Sequence, residues 1–511
     1  MASSYLAPGV YMEEVSSGSR PIEAVGTAVA AFVGFAERGP LHEPVLVTNW
    51  TQFKTNFGDF VEGYYLAHAV YGYFQNGGGV AYVVRVGGAG AEGNGHTNGQ
   101  LTSVPMAELP GASGPGLTIT ARAAEAADLT VEVAPASEEG EDTFKLVVKK
   151  AGTPVETFDN VSTRRGPNNV ATVLKTQSKL ISVEETKGKA LTVPAQGETA
   201  LAAPPPTPAK VDAKEYVGNS ADRTGFGGLE ALDEVTMLCV PDLMAALERG
   251  ALTMEDVKAV QLAMIAHCEL MADRVAILDT PPGLKAQEVK DWRMDFAGYD
   301  SKYAALYWPW IKVADPVAGK QVFIPPSGHM AGIWARNDSS RGVHKAPANE
   351  VIRGAVTLEL NITKGEHDLL NPIAVNCIRS FRGQGIRVWG ARTLSSDPEW
   401  RYLNVRRLFN YVEKSILQGT NWVVFEPNDP KLWDSVKRTV TMFLRRVWRD
   451  GALFGRTPAE AFFVKCDEEN NPPENRDVGI LTVEIGIAPV KPAEFVVFRI
   501  SQFAEGAGLE E

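Results

Sequence analysis

A β-strand cannot stand alone, because each backbone N–H and C=O along it needs a partner. This chain has a strand-like stretch at each end, and a break sets each apart from the body. At the start, YLAPGVYMEEV (5–15) is followed by the small, flexible SSGSRP (16–21). At the other end, EFVVFRISQF (494–503) follows the proline-bounded PVKP (489–492). In that second stretch Val496, Phe498 and Ile500 fall on one face, and Phe495, Val497 and Arg499 on the other. Left as an exposed edge, so apolar a strand is an aggregation hazard. Two such strands on tethers predict strand exchange between subunits, with backbone bonds giving affinity and alternating side chains giving specificity. The residues expected to carry it are Tyr5, Leu6, Val10, Tyr11, Phe495, Val496, Val497, Phe498 and Ile500. Gly18, Pro21, Pro489 and Pro492 are the expected joints. The alternative is that both strands pair inside their own subunit.

Between the ends, 511 residues leave room for roughly three domains. The longest apolar run, VGTAVAAFVGFA (25–36), is too short to cross a bilayer as a helix and reads as a buried strand. The first residues lack a basic segment and a long apolar run, so no secretory leader is expected there. YYLAHAVYGYFQNGG (64–78) places Leu66, Val70, Tyr73 and Phe74 at helical spacing, and VAYVVRV (80–86) reads as a strand. Residues 88–215 read as an insertion, entered through GGAGAEGNGHTNGQ and left through the proline-rich LAAPPPTPAK. Its β-like runs and polar turns predict a small, mainly β module. EVTMLCVPD (234–242) and RVAILDTPP (274–282) flank a helix over 253–272 with Thr253 as its N-cap. AALYWPWIKVADP (304–316) reads as one further buried strand, and strand and helix patterns, NWVVFEP among the former, alternate after 370. The fold class expected is a multidomain α/β and α+β chain. Its core is built from both chain ends (1–25 and 370–488), beside an α/β middle domain (26–87 with 216–369), the β-rich insertion (88–215) and a C-terminal strand arm (489–511).

Catalytic motifs are imitated rather than met. GAGAEG (88–93) follows a strand but precedes a loop, where a dinucleotide site needs a helix N-terminus. Asp279 in LDTPPG lacks any GxxxxGK[ST] to cradle a phosphate and reads as a strand-end residue. Ser327, His329 and Asp338 lie in PPSGHMAGIWARND (325–338), read as a structural loop before a helix, with a hydrolase site as the alternative. The seven histidines show no metal spacing, and the four isolated cysteines read as reduced, buried thiols. No cofactor and no metal are expected. A net charge of −12 argues against nucleic acid as a partner.

One segment departs from that acidic balance. KLWDSVKRTVTMFLRRVWRD (431–450) repeats Leu432, Val436, Val440, Phe443 and Val447 at helical spacing, a core-facing stripe. Arg438, Arg445 and Arg449 share another face, with Lys437 and Arg446 beside it. The plain reading is a solvated face. The functional one is docking onto an acidic partner surface.

Taken in order, long blocks of the chain resemble contractile tail sheath proteins of phages and bacterial contractile injection systems. They run from YLAPGVYMEEVSSGSRPIEAVGTAVAAFVGFAERGP through AAEAADLTVEV, SKYAALYWPWIKVADP and VFIPPSGHMAGIWARNDSSRGVHKAPAN. VNCIRSFRGQGIRVWGARTLSSDPEWRYLNVRRLFNYVEKSI, WVVFEPNDPKLWDSVKRTVTMFLRRVWRDGALFG and PAEFVVFRISQF complete the series. The 88–215 insertion matches most weakly. The resemblance implies a non-enzymatic subunit that polymerises around an inner tube in a metastable extended state and then contracts. It implies partners in further copies of itself, the tube protein, a baseplate and a cap, with assembly in the bacterial cytoplasm and no direct membrane insertion. The terminal arms would pair with neighbouring copies, YLAPGVYMEEV near another copy's EFVVFRISQF. The basic face of 431–450 would meet the tube. A surface-binding role for the β-rich insertion is compatible with all of this.

Overall fold

Short, predominantly apolar runs bounded by turns suit strands covered on both faces. In the computed structural model, six of them form the parallel centre of one sheet. The structure describes residues 21–87 and 212–499 except 318; between them it describes 106–109, 117–121, 129–137, 142–150, 152–164, 166, 168–178, 180–184 and 193–201. The sheet strands are β1 (Val29–Gly34), β2 (Val45–Val47), β3 (Val80–Arg85), β4 (Met237–Cys239), β5 (Val275–Asp279), β6 (Ala304–Trp308), β7 (Glu350–Val351), β8 (Val375–Phe381) and β9 (Gly385–Val388). They lie in the order β7-β9-β8-β6-β5-β4-β1-β3-β2. Strands β8 through β3 run parallel, and β2, β9 and β7 close the edges antiparallel. Alternate residues feed two cores. Ala31, Val33, Leu238, Leu278 and Leu306 enter one, and Ala30, Phe32, Cys239, Ile277 and Tyr307 the other. The sheet continues past residue 369, so a boundary drawn there would cut between the paired strands β6 and β8.

Helices cover both faces. The labels used below are α1 (Trp50–Phe57), α2 (Leu66–Gln75), α3 (Met254–Met271), α4 (Ser327–Arg341), α5 (Leu403–Gly419) and α6 (Pro430–Arg449). Thr253 caps α3 with a reciprocal box. Its hydroxyl accepts from the Asp256 N–H at 3.2 Å, and its own N–H donates to the Asp256 carboxylate at 2.9 Å. In the insertion, two small antiparallel sheets share a core of Leu117, Val131, Phe144, Leu146 and Leu174. Helices α5 and α6 pack together around Leu408, Val436, Val440, Phe443 and Leu444, and Ile22 joins that cluster.

Three expectations change. Residues 304–316 form two strands in two sheets, β6 and Ile311–Ala314, the latter pairing with 321–324 and 355–358. Between them stands Pro309 after a cis peptide bond; proline has no N–H to continue the ladder. The 327–338 segment is helix α4 itself, not a loop before a helix. Its glycines lower helix propensity, yet they are there for packing. A Cβ on Gly328 would stand 2.4 Å from Ala69 Cα, and one on Gly332 2.5 Å from the Tyr73 carbonyl oxygen, both on α2. NWVVFEP forms a 3₁₀ turn over Asn421–Val423 and no strand.

Candidate assembly surfaces

Helix α6 is positioned by its own ends. Asp429 accepts from the Leu432 N–H at 2.9 Å, and Pro430 occupies the first turn, where its missing N–H is no loss. Leu432, Val436, Val440, Phe443 and Val447 are all buried, as the spacing predicts, together with Trp433 and Leu444. Lys437, Arg438, Arg445, Arg446 and Arg449 are all exposed. Arg446 lies over the Phe443 ring at 5.8 Å. Among the described residues, Lys437, Arg438, Arg445 and Arg449 form no ion pair. Arg438, Arg445 and Arg449 make one stripe, with half-exposed Met442 beside it. In an acidic chain, no carboxylate among the described residues forms an ion pair with this cationic ridge.

The two ends are rooted differently. Tyr5, Leu6, Val10, Tyr11 and Gly18 lie outside the described residues, as do GAGAEG (88–93) and Ile500. Pro21 is exposed, and Ile22 is buried against α5, where a Cβ on Gly419 would meet it at 2.6 Å. At the other end, strand 484–487 pairs with 462–465 in a two-stranded sheet. Pro489, an expected joint, bridges Leu453, and the next residue, Val490, donates to the Ala452 carbonyl at 3.2 Å. Pro492 is half-buried. Phe495, Val496, Val497 and Phe498 are 69–85% exposed and belong to no strand among the described residues. An apolar groove of about 730 Å³ runs beside strand 484–487, lined by Val424, Phe425, Leu432, Val436, Leu481 and Ile485. Sequence reading missed this groove, because it took Val424 and Phe425 for strand residues. Phe425 instead projects fully into solvent at φ 69°, a left-handed backbone that bulky residues rarely adopt.

The residues that imitated a catalytic site do not come together. Ser327 donates its N–H and its hydroxyl to the Asp279 carboxylate, at 2.9 and 2.6 Å. Burial pushes that carboxyl up to about 7. Asp338 sits eleven residues further along the same helix, about 16 Å by helical rise, and pairs with Arg407. His329 is buried against Gly72 of α2. Burial, then His68, hold it down to about 3, so its ring is neutral. His68 in turn lies 3.4 Å from Asp315. Each residue serves a separate packing contact. All four cysteines are buried and unpaired. Among the described residues no three or more His, Cys, Asp and Glu side chains gather as metal ligands, and no helix is long and apolar enough to cross a membrane.

Two family models match in succession: the phage tail sheath protein central domain over residues 228–394, and the phage tail sheath C-terminal domain over 395–503. Together they cover more than half of the chain. The chain belongs to the tail sheath family. A tail sheath protein of a Burkholderia phage is 25% identical over 525 residues, spanning 98% of this chain and 97% of its own length. Another, from Vibrio phage KVP40, is 24% identical over 250 residues, 46% of this chain; there the match spans only about a third (36%) of the relative's length. In fold, the chain is similar to the sheath of an extracellular contractile injection system in its contracted state, with a TM-score of 0.59 at 23% identity over 99% of both chains. The Listeria innocua sheath tail protein has a TM-score of 0.51 at 13% identity. The sheath family's mixed α/β architecture is therefore present here. Both described candidate surfaces, the ridge of α6 and the exposed 495–498 run, fall in the part matched by the C-terminal domain.

Proposed function

We propose that this chain is the structural subunit of a contractile sheath that polymerises around an inner tube and shortens to drive that tube through a target envelope. The observation that carries the mechanical part is the contrast at the C-terminus. Pro489 and Val490 are tied to the body, whereas four consecutive apolar side chains, Phe495 to Phe498, stand in water with no strand partner. Such a run is stable only when another strand covers it. In this reading the partner is a second copy of the chain, whose Tyr5, Leu6, Val10 and Tyr11 lie alongside, with Gly18 and Pro21 as the joint at that end. Pro489 and Pro492 are the joint at this end. Lys437, Arg438, Arg445, Arg446 and Arg449 face an acidic inner tube. Assembly begins on a baseplate in the cytoplasm and ends at a cap. The insertion over 88–215 lies outermost, and the α5–α6 part lies toward the tube.

Negative-stain electron microscopy of the chain alone tests the self-assembly. Hollow striated tubes are expected, and deletion of residues 1–20 should leave monomers. Tubes that persist after the deletion would refute strand exchange through the N-terminal arm.

A further inference from the structure

Glu494 is the last residue before the exposed run, and it is held far more firmly than a linker residue needs to be. Its carboxylate accepts from the Arg392 guanidinium in a two-pronged pair, Nε to Oε1 at 2.9 Å and a terminal nitrogen to Oε2 at 2.7 Å. It also accepts from Asn371 Nδ2 at 3.0 Å and from the Tyr402 hydroxyl at 3.1 Å. These donors are themselves fixed. Arg392 donates to the Asn371 carbonyl at 3.0 Å, and its backbone exchanges two bonds with the side chain of Asn376, in β8 of the central sheet. Burial alone would raise the Glu494 carboxyl, but the bonds from Arg392 and Asn371 more than offset it and hold it below its ordinary value. Its side chain is 19% exposed and that of Arg392 9%, so the pair is largely out of water and its planar fork sets direction as well as distance. Asn371 and Arg392 lie in the part matched by the central-domain model, Glu494 in the part matched by the C-terminal model.

We propose that Glu494 is a positioning clamp: it fixes the point and direction at which the C-terminal strand leaves the subunit, so that the lent strand begins at Phe495 and is anchored in both matched domains. This rests on the strand exchange proposed above. Without the clamp, the last tie to the body among the described residues is at Val490. A probe at residue 496 would then hang on six residues instead of two. End-to-end spread grows as the square root of chain length, so its distance distribution should broaden about 1.7-fold. The effective concentration of the strand at a neighbour falls as about the −3/2 power of length, so assembly should slow about fivefold.

The test uses the full-length unassembled chain with spin labels on Val496→Cys and Glu399→Cys; the native cysteines are buried and leave labelling selective. Pulsed dipolar distances are compared with and without Glu494→Ala, and with the near-isosteric Glu494→Gln in case the alanine variant folds poorly. Assembly of the unlabelled variants is followed by light scattering. The clamp predicts the broadening and the slowing in both variants. Unchanged width and unchanged assembly, together with loss of assembly on truncation after Glu494, would overturn the clamp and leave strand exchange standing. A truncated chain that assembles at the wild-type rate would overturn strand exchange through this arm, and the clamp with it.

Discussion

The joint between α5 and the central sheet should fail through one side chain, Arg407. It leaves α5 and donates to both carboxylate oxygens of Asp338 on α4, at 2.8 and 2.6 Å, and to the Thr27 carbonyl at 3.0 Å. Thr27 Oγ1 donates to Asp338 at 2.7 Å, and the guanidinium lies 4.9 Å from the Trp334 ring centre. Both charged side chains are 4% exposed. Arg407→Leu would leave the Asp338 carboxylate buried with only a hydroxyl partner. Stranding one member of a buried pair costs about 3–5 kcal/mol. Replacing both members with leucine removes the stranded charge, so Arg407→Leu/Asp338→Leu should cost less than the two single changes summed, by about 1–3 kcal/mol. A multidomain chain of this size does not unfold in one step, so local hydrogen exchange in the unassembled subunit is the suitable assay. Amides of α5 and of residues 25–29 should exchange about 100-fold faster or more in Arg407→Leu, since each 1.4 kcal/mol is tenfold. A single-variant cost below about 1 kcal/mol, the range of an exposed pair, or strict additivity in the cycle, would refute the reasoning.

Other consequences are more local. Gly332→Ala should destabilise by about 1–3 kcal/mol through the clash with Tyr73, outweighing the roughly 1 kcal/mol that alanine gains in helix propensity; slower hydrogen exchange of the α2 and α4 amides in the variant would count against the α2–α4 seam. His329 is held down to about 3 from 6.5 by burial, then His68. Between those values the unfolded chain binds a proton that the folded chain refuses, so stability is full above about pH 6.5 and falls as the pH drops. His329→Asn should flatten that acid slope in the opening free energy of the α4 amides, read by hydrogen exchange at successive pH values, and an unchanged slope would rule the assignment out. Asp279 has the opposite sign, because burial raises it to about 7. Its contribution is present below about pH 4 and lost as pH rises through 7, so Asp279→Asn should gain on wild type with rising pH across that window. Arg438→Glu/Arg445→Glu should block extended sheath on the tube while leaving self-assembly intact; extended particles in micrographs of the variant would refute tube contact by this face.

What the sequence revealed was whatever repeats within a few residues. The core stripe of α6 and the N-cap of α3 depend on spacings of three and four, so Leu432 to Val447 and Thr253 were legible. Features that depend on a distant partner were not. Gly328 and Gly332 argue against a helix locally, and only the approach of α2 explains them. Pro309 divides a continuous apolar run between two sheets, which composition alone does not signal. Arg407 and Glu494 find their partners 69 and 102 residues away, so no motif marks either.

The same contrast between local and distant contacts bears on how a sheath could shorten without falling apart. During contraction some contacts must break while others hold, and the stronger set must be the one that holds. Burying an apolar side chain contributes about 1.5–3 kcal/mol, so covering two of the four exposed side chains from Phe495 to Phe498 on one strand face would give about 3–6 kcal/mol per arm, before backbone bonds are added. An exposed ion pair from the α6 ridge to a tube contributes about 0–1 kcal/mol and weakens with salt. On these magnitudes the proposed arginine contacts would release first, subunit by subunit, while the proposed strand mesh stayed joined. High salt should therefore loosen sheath from tube before it separates sheath subunits. The reverse order, subunits dispersing while sheath protein remains on the tube, would show that the ridge and the arms have been assigned each other's roles.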